Sequence, residues 1–406
     1  MTIWTERPGH RHWLCAEALR LLDFGRAAVP TSRGAGWLDD QGAVDPARPV
    51  FTWVTARMAH VYGLGHLLGV PGSRPIAERA LAALGTELHD DAFGGWYASL
   101  APHGKPDTTK SAYAHAFVVL AASTGTVARL DGARELLEDA LTVLDARFWE
   151  PAVGLNADEW DRTWTTLASY RGVNANMHIV EALLAAGDAT GEARWHERAA
   201  TIADHVVTWA SANSWRIPEH FDSAWVPQLD LNSERPADPF KPYGATVGHG
   251  LEWSRLLLHV DAALPGRAPQ TLVPAARALY DGAVRDGWSV DGAPGFVYTT
   301  DWSGVPVTHT RMHWVVAEAI GAAAALQQAT GDARYAQDYT RWWDYASEYL
   351  IDRERGSWHH ELDASNVPSR DVWQGKPDTY HAFQATLLPT LPLAPGLAVA
   401  VRDGLS

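Results

Sequence analysis

One short pattern recurs six times along this chain, and it restricts the fold more than any other feature of the sequence. In each copy a polar residue enters a stretch rich in Ala and Leu, and five of the six copies carry a histidine. The copies are centred on Arg57, His115, His178, His249, His313 and His381. They follow one another at intervals of about 60 to 70 residues, which is enough for two helices and their connections, so the sequence predicts repeated helical pairs.

The segments between the copies have a second helical pattern. In residues 193–210, apolar side chains recur at spacings of three and four with charged residues between them, which predicts an amphipathic helix. The same pattern occurs in residues 77–90, 130–149, 274–288 and 334–350. The repeated segments are nearly apolar all round, as buried helices are. Six inner and six outer helices in alternation predict an all-α fold, the (α/α)6 barrel, formed as a single domain over residues 1–406.

The connections differ in length and composition. Four of them combine Gly with aromatic residues and predict short strands or hairpins, at 93–100, 153–160, 294–302 and 356–363. The stretch 211–244 contains five prolines and is too long for an ordinary connection. We expect it to be a functional loop over one end of the structure.

Charge and cysteine content exclude several classes of protein. The chain has 33 basic and 48 acidic residues, a net charge of −15, and its Lys and Arg do not cluster, so nucleic acid is not an expected partner. No apolar run approaches the roughly 20 residues that cross a bilayer, so no membrane association is expected. The single cysteine, Cys15, and an N-terminal sequence unlike a signal peptide favour a cytoplasmic protein.

The repeated histidines are the first candidates for chemistry. Several imidazoles recur at equivalent places on buried helices, and burying them without hydrogen-bond partners would cost free energy. An imidazole with a pKa near about 6.5 can also take and return a proton at neutral pH. His249 and His381 are the predicted proton-transfer pair. His115 and His313 belong to the same repeat, and the sequence does not decide whether they are catalytic or only line the barrel wall. The remaining histidines considered, His60, His66, His205, His220, His359 and His360, are expected on the surface or in loops.

Carboxylates follow three of the repeat positions at helical spacing. Glu181 comes three residues after His178, Glu252 three after His249, and Glu318 four after Trp314, so each is expected beside the earlier residue on one helix face. These glutamates either take part in the site or balance charge around it. The two His-x-x-Glu pairs have a spacing at which metal ligands occur. Helical di-metal proteins use the reverse order, Glu-x-x-His, so no metal is expected.

Other polar and aromatic side chains near the repeats are candidate sugar contacts. Arg57 in a mostly apolar helix needs an anion or several acceptors, which an enediolate, a group of hydroxyls or an inner glutamate would supply. Hydrogen-bonding groups and flat indole faces suit a sugar ring. The candidates for substrate binding are Trp53, Tyr113, Asn174, Trp314, Glu318 and Trp373, with Asn176 as a further hydrogen-bonding group.

Four of the repeated segments together resemble a known family. TARMAHVYGLG, NANMHIVEALL, GHGLEWSRLLL and TYHAFQATLL, in this order, are similar to the N-acylglucosamine 2-epimerase family of sugar isomerases and epimerases, and the resemblance covers nearly the whole chain. It implies an (α/α)6 barrel and metal-independent interconversion of sugars through a cis-enediol. It also places five residues at family active-site positions: Arg57, His178, His249, Glu252 and His381.

Within the family the chain is most similar to the mannose isomerases, which implies interconversion of D-mannose and D-fructose. In that scheme His249 assists ring opening, His381 moves the proton from C2 to C1, and Arg57 with His178 stabilises the enediolate oxygens. No cofactor is expected, since the nucleotide-binding pattern GxxxxGK[ST] is missing.

Several alternatives remain open at this point. One is a 2-epimerase of a hexose or disaccharide, and another is an isomerase of the sulfoquinovose type. A glycoside hydrolase or lyase and a non-catalytic sugar-binding barrel are less favoured. The expected partner is a monosaccharide, and both a monomer and a homodimer are compatible with the sequence.

Overall fold

The structure is a computed structural model that describes residues 3–30 and 33–405. Helices dominate, which confirms the predicted all-α class. The α-helices are α1 (Pro8–Gly25), α2 (Thr52–Leu67), α3 (Ser73–Gly85), α4 (Ala112–Val127), α5 (Ala133–Val143), α6 (Val173–Thr190), α7 (Ala193–Ala212), α8 (Val247–Ala263), α9 (Leu272–Gly287), α10 (His313–Thr330), α11 (Ala333–Tyr345), α12 (Tyr380–Leu387) and α13 (Leu397–Arg402). Short 3-10 helices span Trp4–Glu6, Arg26–Ala28 and Leu388–Thr390, and π-helical turns, Leu144–Phe148 and Ala346–Leu350, follow α5 and α11.

The strands are two or three residues long and lie in the connections. They span Val50–Phe51, Ser99–Leu100, Pro106–Asp107, Lys110–Ser111, Trp149–Glu150, Leu155–Asn156, Glu159–Trp160, Arg171–Gly172, His220–Phe221, Ala245–Thr246, Thr299–Thr300, Pro306–Thr308, Arg311–Met312 and Glu361–Leu362. Antiparallel pairs join the residue before a buried helix to the following connection, as where Arg311 pairs with Leu362. Strands occur in all four predicted hairpin segments, which confirms those predictions.

Buried and amphipathic helices alternate along the chain as the two sequence patterns predict. Every residue of α2 from Thr52 to Gly65 is buried, whereas α11 buries one aromatic face that includes Tyr335, Tyr339 and Trp342. The even-numbered helices α2 to α12 contain the six repeat positions. The amphipathic partners are α1, α3, α5, α7, α9 and α11, and α1 is the one that the sequence pattern did not predict.

The chain forms two compact units. The α2–α6 unit comprises Leu22–Ile202, Pro377–Tyr380 and the C-terminal segment that begins at Ala394. In it α2 packs on α3 and α4, and α4 packs on α5 and α6. The α8–α12 unit comprises Ala203–Lys376, His381–Leu393 and the N-terminal segment that ends at Leu21. In it α8 packs on α9 and α10, and α10 packs on α11. The single-domain organisation stays a prediction.

An ion pair recurs at four junctions between an amphipathic helix and the next buried helix. An acid that follows the amphipathic helix binds a base that lies shortly before the buried helix. We call these the junction pairs: Asp90–Lys110 (3.0 Å), Glu150–Arg171 (2.9 Å), Asp291–Arg311 (2.5 Å) and Asp352–Lys376 (2.7 Å). Because the bases also donate to backbone carbonyls, as Lys376 does to Gly356 and Lys110 to Gly94, each pair fixes the turn that leads into the buried helix.

The length and hydropathy of a helix decide whether it can span a membrane. Across residues 3–30 and 33–405, no helix combines the length and the apolar character that a membrane span requires.

Candidate active site

Most of the predicted site residues fall into two clusters, one in each unit, and Trp53, Asn174 and Trp373 lie outside the clusters as defined here. The Arg57 cluster, in the α2–α6 unit, consists of Arg57, Tyr113, His178, Glu181, Asp378 and Tyr380. The His249–His381 cluster, in the α8–α12 unit, consists of Glu219, His249, Glu252, Arg255, Trp314, Glu318 and His381. The repeat histidines of both clusters lie within the first two turns of α6, α8 and α12. The two clusters are described separately.

Arg57 is a buried cation with a fixed orientation. Its Nη1 donates to Asp378 Oδ2 at 3.2 Å, and its Nη2 donates to the Tyr113 hydroxyl at 3.0 Å. The guanidinium carbon lies 4.8 Å from the ring centre of Trp53 and 4.7 Å from that of Tyr380. Burial opposes the charge, but the neighbouring tyrosines and Asp378 outweigh burial and raise the pKa of Arg57 above its usual value. Arg57 is therefore a permanent positive charge whose Nε has no hydrogen-bond partner among the described residues.

Asp378 holds this arrangement at the start of α12. Its Oδ2 binds Arg57, and its Oδ1 accepts a hydrogen bond from the backbone N–H of Tyr380 at 2.9 Å. A carboxylate at a helix N-terminus satisfies a free backbone donor and interacts favourably with the helix dipole. The same side chain thus caps α12 and positions the guanidinium.

His178 lies beside the guanidinium cluster on α6. Its ring centre is 5.2 Å from that of Tyr113, and its Nδ1 is 3.7 Å from Glu181 Oε2. The hydroxyl of Tyr380 donates to Glu181 Oε2. The predicted proximity of His178 and Glu181 on one helix face is thereby confirmed.

The two asparagines of α6 have different surroundings. Asn176 binds Asn156 and the carbonyl of Gly172, so it connects α6 to the preceding turn. Asn174 is partly exposed, and its Oδ1 has no hydrogen-bond partner in residues 3–30 and 33–405. Of the two, Asn174 has the free acceptor that a sugar hydroxyl needs.

His249 forms a dyad with a carboxylate from the long stretch 211–244. Its Nδ1–H donates to Glu219 Oε2 at 2.9 Å, and Glu219 is 3% exposed. The sequence analysis places Glu252 on the same helix face as His249, and the structure shows that the hydrogen-bond partner of Nδ1 is Glu219. Since an ionised carboxylate only accepts hydrogen bonds, the proton lies on Nδ1 and Nε2 is the atom left for chemistry.

His381 forms the second dyad. Its Nδ1–H donates to Glu318 Oε1 at 2.9 Å, and Glu318 Oε2 accepts from Arg255 Nε at 2.9 Å. Burial would raise the pKa of Glu318, but Arg255 and His381 outweigh burial and hold the pKa of that carboxyl below its usual value. Glu318 therefore stays ionised at neutral pH, and its contact with His381 Nδ1 has the same form as the contact of Glu219 with His249 Nδ1.

Trp314 lies against both dyads. Its ring centre is 5.4 Å from that of His249 and 5.8 Å from that of His381, with tilts of 39° and 38°. A β-carbon added at Gly248 would overlap ring atoms Cζ3 and Cη2 of Trp314, so the missing side chain at this position makes room for the indole. The result is a partly exposed aromatic face flanked by two oriented imidazoles.

Glu252 belongs to the same cluster but not to a dyad. It is 1% exposed, and its Oε1 is 3.7 Å from Arg255 Nη2. One donor atom each from Glu252, Glu318 and His381 lie within 4.8 Å of one another, and a metal ion could be bound at that spacing. Arg255 already supplies a positive charge to Glu318, and it would oppose a cation there.

Trp373 lies on a loop that a buried carboxylate organises. Glu361 is 1% exposed and accepts hydrogen bonds from the backbone N–H groups of Asp371, Val372 and Trp373 and from the hydroxyl of Ser369. The Trp373 ring packs on Phe240, with ring centres 5.4 Å apart. Four donors fix this carboxylate, so the loop around Trp373 is well defined.

Two histidines expected on the surface or in loops are buried. His60 is 2% exposed on α2 and shares a hydrogen bond of 2.7 Å with Thr124 Oγ1, and burial lowers its pKa to about 4. His220 is 4% exposed, its Nε2–H donates to the carbonyl of Pro242 at 2.8 Å, and burial lowers its pKa. The expectation was wrong for both, because a single hydroxyl or carbonyl is enough to satisfy a neutral imidazole in the core.

The two undecided histidines also differ from each other. His115 bonds to the carbonyl of Ser111 at 2.7 Å and accepts from the backbone N–H of Trp96 at 3.1 Å. Burial lowers its pKa to about 3, so it is a neutral structural residue. His313 stacks on His360, with ring centres 3.8 Å apart, and lies 6.4 Å from the ring of His381. His360, expected in a loop, thus contacts a repeat residue.

The sequence analysis missed four residues of the clusters: Asp378, Tyr380, Arg255 and Glu219. Asp378 had a usable signal, because an acid two residues before a predicted helix is a capping pattern. Arg255 could also have been identified from the sequence, since it follows Glu252 by three residues on the same helix. No sequence signal identifies Glu219, because it comes from an irregular stretch and only the fold brings it to His249.

Comparison with known proteins identifies relatives over the whole chain. Residues 34–385 match the family described as N-acylglucosamine 2-epimerase (GlcNAc 2-epimerase). A D-mannose isomerase of Thermobifida fusca is 52% identical over 404 residues, which is 99% of either chain. Among solved structures, one described as D-mannose isomerase matches with a TM-score of 0.86 at 28% identity, covering 92% of this chain and 96% of that one.

A more distant structure shares the fold. The cellobiose 2-epimerase from Spirochaeta thermophila matches with a TM-score of 0.82 at 21% identity, covering 94% of this chain and 95% of that one. These structural matches confirm the predicted fold class, the (α/α)6 barrel.

Proposed function

Because this chain belongs to the N-acylglucosamine 2-epimerase family and is an enzyme of the isomerase and epimerase type, we propose that it interconverts D-mannose and D-fructose. The proposal draws its substrate from the relative named D-mannose isomerase, which is 52% identical over nearly the full length of both chains. The observation that carries the chemistry is the pair of oriented imidazoles, His249 and His381, which both pack against Trp314.

An aldose–ketose isomerisation needs groups that move protons without leaving the site. In the open-chain sugar a base removes the proton from C2. The electron pair left behind forms the C1–C2 double bond, the C1–O1 π pair moves to O1, and O1 takes up a proton, which gives the cis-enediol. The hydroxyl proton of O2 is then lost, the C2–O2 double bond forms, and the electron pair of the C1–C2 double bond takes up a proton at C1, which gives the ketose. An imidazole suits both directions because its two protonation states are close in energy near neutral pH.

The proposed roles follow the two dyads. His381, oriented by Glu318, takes the proton from C2 and returns it to C1. His249, oriented by Glu219, assists ring opening by moving a proton to the ring oxygen. Trp314 offers its indole face to the sugar ring, and Glu252 and Trp373 are proposed as further contacts.

The Arg57 cluster is proposed to bind sugar oxygens. Arg57 is a permanent charge with an Nε that no described residue accepts from, and such a donor suits the developing negative charge of an enediolate. His178 is the second group proposed to stabilise these oxygens. Trp53 lies against Arg57, and Tyr113 accepts a hydrogen bond from it. Asn174, whose Oδ1 has no hydrogen-bond partner among the described residues, is proposed as a further contact to a sugar hydroxyl.

We propose that the reaction needs neither metal nor organic cofactor. Arg255 places a positive charge beside Glu318 and Glu252, so the proposed proton transfer has electrostatic support from within the protein. Activity that survives treatment with a strong chelator such as EDTA supports this, and loss of activity that zinc or manganese restores contradicts it.

The single exposed cysteine, Cys15, is compatible with action in the reducing cytoplasm.

A 2-epimerase is the second candidate, since the fold is shared with a cellobiose 2-epimerase. The two reactions use the same enediol and differ in the carbon that is reprotonated: C1 gives the ketose and C2 the epimer. The test is a panel of D-mannose, D-lyxose, D-talose and cellobiose with identification of every product. Fructose from mannose supports the proposal. Glucose as the sole product from mannose, or turnover of cellobiose alone, contradicts it.

A further inference from the structure

We propose that Glu219 is a positioning residue for His249: it fixes the imidazole so that Nε2 points to the substrate. The inference rests on the proposed isomerase function and deepens it, because it adds to the site a residue from the stretch between α7 and α8. Glu219 acts through His249 and does not itself touch the reacting atoms.

The backbone around Glu219 is anchored, so its carboxylate has a defined place. The next residue, His220, begins the strand His220–Phe221 and is 4% exposed. Its Nε2–H donates to the carbonyl of Pro242 at 2.8 Å, which joins the two ends of the stretch. The carboxylate therefore comes from a fixed segment although the surrounding sequence is irregular.

The contact itself selects one tautomer of His249. The distance from Nδ1 to Glu219 Oε2 is 2.9 Å, and a carboxylate can only accept. Nδ1 must then carry the proton, so in the neutral ring Nε2 has a lone pair, and in the charged ring it has a proton to donate. The Trp314 indole packs against the ring of His249 and limits its rotation about the Nδ1 contact.

The remaining oxygen of Glu219 argues for a functional rather than a structural role. Glu219 is 3% exposed, and its Oε1 has no hydrogen-bond partner within residues 3–30 and 33–405. A buried acceptor without a partner is destabilising. Glu361, which organises the Trp373 loop, instead has both oxygens bonded. A buried carboxylate that costs stability is retained where its charge and direction serve the site.

The test compares Glu219→Gln with a matched control, Glu234→Gln, in which an exposed glutamate of the same stretch is changed. With D-mannose we expect kcat of Glu219→Gln to fall on the order of 100-fold, by analogy with loss of the carboxylate that orients a catalytic histidine. The KM should change by less than about threefold, because the side chain does not touch the sugar. Glu234→Gln should match the wild type.

A kcat of Glu219→Gln within about twofold of the wild type overturns the inference. If Glu219→Gln does not fold, as judged by circular dichroism, Glu219→Asp takes its place. It keeps the charge but shortens the reach, so it should retain the fold and lose kcat. Full activity of that variant also overturns the inference.

A second measurement does not depend on turnover. Nitrogen-15 NMR of ring-labelled histidine, with the His249 signals assigned by their loss in His249→Asn, should show the Nδ1–H tautomer in the wild type at alkaline pH. In Glu219→Gln the Nε2–H form should increase. A wild-type His249 in the Nε2–H form refutes the role of Glu219. Failure of the wild type to convert any hexose refutes the proposed function instead.

Discussion

Two kinds of buried carboxylate occur in the α8–α12 unit, and they differ in how completely they are satisfied. In the junction pair Asp352–Lys376, Asp352 Oδ2 binds the ammonium group at 2.7 Å and Oδ1 accepts from the backbone N–H groups of Glu354 and Arg355. In the dyad Glu219–His249, one oxygen binds the imidazole and the other has no hydrogen-bond partner among the described residues. The first arrangement satisfies the carboxylate completely, and the second leaves one oxygen without a partner at the proposed site of proton transfer.

The same contrast separates the histidines. His115 has both ring nitrogens bonded to backbone groups, whereas His249 and His381 have one nitrogen bonded to a carboxylate. Position in the repeat is therefore a poor guide to role, and the partner of each ring nitrogen is a better one. The predictions below test this difference from the largest expected effect to the smallest.

Substitution of a dyad histidine should remove activity and leave the fold. For His381→Asn we expect kcat with D-mannose to fall by about 100- to 10,000-fold, the usual contribution of a general acid–base group. Steady-state kinetics and thermal unfolding measure the two effects. His115→Asn is the matched control: it should keep more activity but unfold more easily, since a buried backbone N–H loses its acceptor. If His115→Asn lost more activity and His381→Asn lost more stability, the proposed difference in role between the two histidines would be wrong.

Removal of one partner of a junction pair should affect stability. Lys376→Met leaves Asp352 buried without its cation, which costs about 3–5 kcal/mol of unfolding free energy in comparable cases. Urea unfolding followed by circular dichroism measures the loss. The double variant Lys376→Met with Asp352→Asn should recover part of it. Equal stability of Lys376→Met and the wild type would mean that the junction pair contributes nothing.

The close approach of α8 to Trp314 provides a smaller test. In Gly248→Ala the new methyl group would overlap the indole, so Trp314 must move away from both dyads. We expect kcat/KM to fall by about 10- to 100-fold through misplacement of the sugar. Gly250→Ala on the same helix is the control, because its new methyl would approach Ala283 Cβ at 3.3 Å and the carbonyl oxygen of Leu279 at 3.7 Å, without contact to Trp314 within 4 Å. Similar kinetics for the two variants would argue against Trp314 as a substrate contact.

Acid should weaken the junction pairs, and this is the smallest of the expected effects. Lys376 and backbone donors outweigh burial and lower the pKa of Asp352, and Arg311 with His309 does the same for Asp291. A carboxyl whose pKa is depressed by folding contributes stability above its unfolded value, and this is lost as pH falls through the folded value. Unfolding free energy should therefore decline below about pH 4. The Asp352→Asn, Lys376→Met variant should decline less steeply, and an equal slope would contradict this.

Much of the fold follows from the sequence because it rests on periodicity. The repeat and the amphipathic segments predict alternating helices, and most boundaries agree within a few residues: residues 334–350 correspond to α11 and its π-helical turn. The exception is α1, Pro8–Gly25, where bulky and charged residues obscure the apolar stripe. The junction pairs escaped notice because their partners are about 20 residues apart and become neighbours only through the turn.

The site is predictable only in part, for a physical reason. Residues such as His249, His381 and Arg57 belong to the repeat, so their place on buried helices follows from the pattern. Their orientation depends on partners from elsewhere in the chain. Glu219 comes from an irregular stretch and Asp378 from a helix start, and nothing periodic connects them to His249 or Arg57.

The most direct test of the central proposal is the fate of the C2 proton. D-mannose is incubated with the protein in deuterium oxide, and the products are followed by proton and carbon NMR. The account predicts D-fructose, formed by the wild type and nearly abolished in His381→Asn, with deuterium at C1 in the fraction of turnovers in which the proton held by His381 exchanges with solvent. D-glucose with deuterium at C2 and no fructose, or unchanged mannose without exchange, would contradict it.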